Sequence, residues 1–281
     1  MSTLPKITIV TPSFNQGAYI EEALLSVKQQ DYPNLEHIVV DGGSTDQTLD
    51  VLSKYGNHAE WQHLRWISER DKGQSDALNK GFRMATGDVI GWLNSDDRYR
   101  SGAFTTVADA LRGHRETDIL YGDYTLIDQS GNVTRIRREI EFSHFILRYH
   151  RVLYIPTTST FFRRRIFDEG NFIDDRLDYA MDYEFFLRLA QRGYRFRHIP
   201  SLLADFRLHS ESKTETAPEK QWREQDAIAK RRAPALSRLP GETAQNVAFH
   251  LLRSAAAGLR YSQKLLRGYY FEQFRSRADH S

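Results

Sequence analysis

Cysteine is absent from the 281 residues, which excludes a disulfide framework, a thiolate metal site and a cysteine nucleophile. Long apolar runs are missing too: no stretch approaches the length of a membrane span, and Lys6 interrupts the start before any signal-like run. Neither sign of charge dominates. With 39 Lys and Arg against 37 Asp and Glu, the net charge of +2 gives no argument for nucleic acid. The expected location is cytoplasmic, with peripheral attachment to the inner face of the plasma membrane left open. What is present is ordinary for a globular protein: 40% hydrophobic and 27% charged residues, enough to bury a core.

The first half alternates strand and helix patterns. Ile7-Thr8-Ile9-Val10 reads as a strand broken by Thr11-Pro12-Ser13, followed by a helix with Ile20, Ala23, Leu24 and Val27 on one face. His37 to Val40 reads as a second strand ending at Asp41-Gly42-Gly43. Ser44 and Gln47 have capping-box spacing before a helix that buries Leu49 and Leu52. Leu64 to Ile67 is a third strand, Gln74 to Ala85 a helix, and Asp88 to Leu93 a fourth strand. Strands separated by single helices imply right-handed crossovers and a mainly parallel α/β sheet.

In such sheets ligands bind beyond the carboxyl ends of the strands. Here those ends carry Thr11 to Asn15, Asp41, Glu69 to Asp71, and the adjacent acids Asp96 and Asp97. Neighbouring carboxylates repel, and a divalent cation that grips a phosphate would offset them.

Six segments in order carry a resemblance. They are Thr11-Pro12-Ser13-Phe14-Asn15, Asp41-Gly42-Gly43-Ser44-Thr45-Asp46, the run from Ser68 to Gly81, Asn94-Ser95-Asp96-Asp97, the run from Met181 to Leu189, and Phe206 to Thr214. Together they resemble the family 2 inverting glycosyltransferases. The resemblance covers about residues 6 to 214. It implies a GT-A fold, Rossmann-like and nucleotide-binding, with a mixed, mainly parallel sheet flanked by helices and a C-terminal helical extension. The implied division is a catalytic domain over 1–214 and a basic helical extension over 215–281.

The resemblance also implies roles. Asp41 matches the acid that accepts from a uracil imide, Phe14 the aromatic that stacks on the base, and Thr11, Pro12 and Ser13 the strand end along the nucleoside. Asp71 matches a further acid near the nucleotide, and Asp96 the acid near the ribose and metal. Asp97 matches the direct ligand of Mn2+ or Mg2+, and His209 a residue at the metal and diphosphate. Ser212 and Thr214 match a loop that would close over a UDP-linked donor. Asp182 matches the general base that takes a proton from the acceptor hydroxyl of a glycan or lipid-linked acceptor. Here Met181 stands where the family usually has Glu, which removes one negative charge beside Asp182. Glu184 is the next candidate base.

Between these blocks, strands around the Gln129-Ser130-Gly131-Asn132 turn and a helix near Phe142 to Tyr149 are expected to shape an acceptor pocket. His144, His150 and Tyr154 are candidates to line it. After Glu219 two helical stretches interleave Lys230, Arg231, Arg232, Arg253, Arg260, Lys264, Arg267, Arg275 and Arg277 with apolar residues that include Tyr270 and Phe271. That pattern suits an anionic membrane surface, or equally a helical hairpin packed against the catalytic domain or a second subunit of a homodimer. A nucleotidyltransferase would need a Gly-rich basic loop after the first strand, and a dehydrogenase Gly-x-Gly-x-x-Gly; both are missing. A non-catalytic sugar-nucleotide binding protein would be expected to lack Asp182 or Asp97.

Overall fold

Four apolar runs become strands β1 (Ile7–Ser13), β2 (Leu35–Asp41), β3 (Leu64–Ser68) and β4 (Val89–Trp92), joined by helices α1 (Ile20–Lys28), α2 (Thr48–Gly56) and α3 (Gln74–Met84). They pair in parallel in the order β3-β2-β1-β4, as the alternation of patterns predicts. A computed structural model describes residues 4–150, 152–209, 218–233 and 236–269. The expected lid residues Ser212 and Thr214, the boundary at 214 and 215, and Tyr270, Phe271, Arg275 and Arg277 lie outside them.

Beyond β4 the sheet becomes mixed. The chain continues through β5 (Arg98–Tyr99), α4 (Ala103–Gly113), β6 (Ile119–Ile127), β7 (Val133–Arg137), α5 (His144–Tyr149), β8 (Thr160–Arg163), α6 (Arg165–Asp168), α7 (Met181–Gln191) and β9 (Phe196–Arg207). The full order is β3-β2-β1-β4-β8-β6-β9-β5, with β7 beside β6. Strand β8 runs antiparallel to both β4 and β6, while β9 runs parallel to β6. The β6–β7 hairpin turns where Gln129 to Asn132 predicts.

Helices cover both faces. One side packs Ala23, Val27, Phe104 and Val107 from α1 and α4 on Ile7, Ile9 and Leu120. The other packs Leu78, Phe82, Phe185 and Phe186 from α3 and α7 on Val10, Ile90, Trp92 and Phe162. Gly81 permits the close approach of α3, since a Cβ there would collide with Val10 Cγ1.

Two helices follow, α8 (Pro218–Arg231) and α9 (Gly241–Leu266). Ile228, Ala229, Ala233, Leu236, Phe249 and Ala256 join the same core as α7. Lys230, Arg231 and Arg267 are exposed, while other basic residues of the tail are paired inside. Arg260 and Lys264 turn inward to buried Glu139, at 2.9 and 3.1 Å, and Arg253 pairs with Asp226. Burial holds the Lys264 ammonium below its ordinary value against the pull of Glu139. The outward face of α9 carries Val247, Leu251, Leu259, Tyr261, Leu265 and Leu266 instead. Among the described residues no helix is long and apolar enough to cross a membrane.

Glu139 is thus the shared counter-ion of two nearly buried cations. Glu139→Ala is expected to lower stability by roughly 3–5 kcal/mol, the usual cost of orphaning a buried charge. Urea unfolding of the two proteins measures it, and an unchanged midpoint would refute the coupling.

Candidate active site

The ends of β1, β2 and β4, the segment after β3 and the start of α7 meet around a cavity of about 730 Å3. Two loops at the strand ends are braced against each other. Asn15 adopts a left-handed backbone, φ 52°, which Asn tolerates better than most residues. Its N–H donates to Ser44 Oγ at 2.8 Å, and its side-chain oxygen accepts from Thr45 N at 2.9 Å. Gly17 N donates to Asp46 at 2.8 Å. Ser44 is therefore occupied at the cavity and does not cap α2; Asp46 holds that helix start by accepting from Thr48 N.

The predicted binding residues divide into two groups. Pro12, Ser13, Phe14, Asp71 and Asp96 line the cavity. Phe14 is 58% exposed there, an open aromatic face rather than a core side chain. Ser13 Oγ is buried with no hydrogen-bond partner. Thr11 and Asp41 do not line the cavity. Thr11 is fully buried, its Oγ1 3.0 Å from His37 Nε2. Asp41 is fully buried beneath the floor, where its carboxylate accepts from Gly43 N, Ser44 N, the Ser44 hydroxyl and the Ser68 hydroxyl. Four donors leave it little capacity for a base edge, so in this structure it holds the loop. Asp71 is only partly buried and packs against Gly42, where a Cβ would lie 2.6 Å from Asp71 Oδ2 and push that side chain aside.

The adjacent acids separate in the same way. Asp97 is 1% exposed and accepts from Thr158 Oγ1 at 2.6 Å, Arg207 N at 2.9 Å and Asn94 Nδ2 at 3.3 Å. Burial, and then the charge of Asp96, push its carboxyl well above the usual carboxylate range. This geometry does not suit the expected role of Asp97 as direct metal ligand. Asp96 faces the cavity instead, with Oδ2 3.0 Å from His209 Nε2. Among the described residues no three His, Cys, Asp or Glu side chains gather into a metal cage. The oxygen and nitrogen pair of Asp96 and His209 suits a cation that takes its remaining ligands from phosphate and water.

Asp182, in the first turn of α7, lines the same cavity. Glu184 does not compete with it: it is 2% exposed and paired with Arg188 and Arg232. His144, His150 and Tyr154 are not among the lining residues. Tyr154 is buried, accepting from Ser143 N at 2.8 Å, and His150 is buried against the Val152 carbonyl. Asp178, Tyr179 and Gln221 line the cavity instead. They lie in a loop and a distal helix, and no local pattern marks them. Asn94 organises the same floor: its side-chain oxygen accepts from Trp92 Nε1 and Gln74 Nε2, at 2.9 and 3.0 Å.

Residues 8–170 match glycosyl transferase family 2. The chain belongs to that family. It is 29% identical over 220 residues to chondroitin synthase of Escherichia coli, which covers 75% of this chain but 30% of that protein. S. aureus TarS (residues 1–349) in complex with UDP-GlcNAc has a TM-score of 0.65 at 19% identity, over 94% of this chain and 75% of that one. The mannosyltransferase PcManGT from Pyrobaculum calidifontis, in complex with GDP-Man and Mn2+, has a TM-score of 0.61 at 19% identity, over 92% and 74%. These likenesses establish the expected fold, the GT-A arrangement of a mixed sheet between helices with a C-terminal helix.

One buried group in this glycosyltransferase family chain sets a pH dependence. Burial, and then the nearby His63, hold His37 down at about 3 in the folded protein, against an ordinary value of 6.5. The unfolded chain takes up that proton as pH falls through 6.5 while the folded chain refuses it until about 3. Stability is therefore fully present above 6.5 and declines as pH drops through that window, by at most about 1.4 kcal/mol per pH unit from this residue. Urea midpoints at pH 7 and 5 are expected to differ, and His37→Gln to flatten the slope. An equal slope in both proteins would remove His37 from the account.

Proposed function

We propose that this chain transfers a sugar, with inversion, from a nucleotide-diphosphate donor, UDP-linked by preference, to a hydroxyl of a glycan or lipid-linked acceptor. The observation that carries the reading is one cavity lined by Asp96, His209 and Asp182 together. Phe14 offers a face for the base, with Ser13 and Asp71 as polar partners. The UDP-GlcNAc complex of TarS supports the donor class, and the Mn2+ of the mannosyltransferase supports a divalent cation. Mn2+ or Mg2+ held by Asp96 and His209 would supply positive charge to the departing diphosphate.

The chemistry left to the chain is positioning and one proton. The acceptor oxygen bonds to the anomeric carbon from the face opposite the diphosphate, whose C–O bond breaks. Asp182 takes the hydroxyl proton as that bond forms. No covalent enzyme intermediate is needed. We assign the catalytic part to residues 1–214 and a helical extension to 215–281. The exposed apolar row of α9 supports a contact of that extension with a membrane surface or a second copy.

Calorimetry with UDP and Mn2+ tests the donor side. Asp96→Ala is expected to abolish the gain in affinity that Mn2+ brings, while Asp97→Ala lowers the unfolding temperature. Equal UDP affinity with Mn2+ and with a chelator would overturn the metal role. Asp182→Asn is expected to keep UDP affinity and lower turnover by roughly two to four orders of magnitude, the usual worth of a general base. Near-normal turnover in that variant would move the base elsewhere.

A further inference from the structure

In the first turn of helix α7 Asp182 Oδ1 accepts from Tyr183 N at 2.7 Å, but the N-cap side chain contributes no bond. The N-cap residue is Ala180, which has no side chain to accept the backbone N–H groups exposed at a helix start. Glu224, half-buried on α8, occupies that place. Its Oε2 accepts from Ala180 N at 2.6 Å and Tyr179 N at 2.8 Å, and Oε1 lies 3.4 Å from Asp178 N. Asp178, Tyr179 and Asp182 all line the cavity, as does Gln221 one turn before Glu224. Both ends of α7 are tied to the same segment: Arg232 pairs with Glu184 in the first turn, and Gln191 Nε2 at the last residue donates to the Arg232 carbonyl at 3.0 Å. Ile228 and Ala229 are buried between these ties.

We propose that Glu224 is the positioning residue for Asp182, supplied by the C-terminal extension to a helix whose first residue is Met181 rather than an acid. This rests on the reading of Asp182 as base. A carboxylate that accepts from consecutive N–H groups makes charge-assisted hydrogen bonds, and its charge is favourable at a helix N-terminus. It fixes the backbone of the turn from which Asp182 projects, so the base meets the acceptor in one orientation. Errors of about 1 Å in such a placement cost on the order of a hundredfold in rate.

The test compares the full-length protein with Glu224→Ala and Glu224→Gln. Hydrogen–deuterium exchange reads the amides of Tyr179 and Ala180 without any turnover. Glu224→Ala is expected to expose them and to lower kcat between tenfold and a hundredfold while UDP affinity stays at the wild-type value. Glu224→Gln keeps an acceptor oxygen and is expected to restore both protection and most of kcat. Exposed amides with unchanged kcat would overturn the proposal. So would a Gln variant as impaired as Ala, or losses of kcat, UDP affinity and unfolding temperature in step, which would mark a purely structural role. If the wild-type protein transfers no sugar from any nucleotide, the glycosyl-transfer reading fails. Unchanged protection in Glu224→Ala would instead defeat the role of Glu224.

Discussion

Arg207 carries its guanidinium to a place with no solvent contact, and the strand-end loops of the cavity are assembled around it. It donates to the Asp96 carbonyl at 2.8 Å, to the Asp128 and Gln129 carbonyls of the β6–β7 turn, and to Glu22 on α1 at 2.6 Å. Its own N–H caps Asp97. A buried cation persists only where hydrogen bonds and an opposite charge replace water. Meeting that condition draws together α1, the β4–β5 loop, the hairpin and the end of β9. Tyr19 lies over the guanidinium at 5.1 Å and against the His209 ring at 4.9 Å, so the same anchor orients the histidine.

The division between Asp96 and Asp97 follows from that anchor. One acid of the pair must be spent on backbone and hydroxyl donors to seat the loop, which leaves the other to face the cavity. The sequence shows two neighbouring acids at a strand end and so locates the site. Which of the two turns inward depends on Thr158 and Arg207, which lie 61 and 110 positions away from Asp97. Asp41 illustrates the same limit. Its place at the end of β2 is legible, but the Ser68 hydroxyl that helps occupy it comes from β3.

Local periodicity accounts for the parallel half of the sheet, where each strand and its helix bury one another's apolar face. It was less informative beyond β4. The two-residue strand β5 and helix α4 were not anticipated, because a strand that short has no period and is held by Asp205 of β9 bonding Arg98 and Arg100. The tail is legible as basic and amphipathic, but pattern alone does not say which cations face water: Arg260 and Lys264 meet the buried Glu139, whereas Lys230, Arg231 and Arg267 are exposed.

These differences sort the cavity into two parts with different origins. One part is built from loops that directly follow strands and are braced by Arg207 from the end of β9. The other is built from residues 178–182 and from α8, joined by hydrogen bonds between segments some 45 residues apart. A substitution on α8 can reshape that second part without touching Phe14, Asp71 or Asp96.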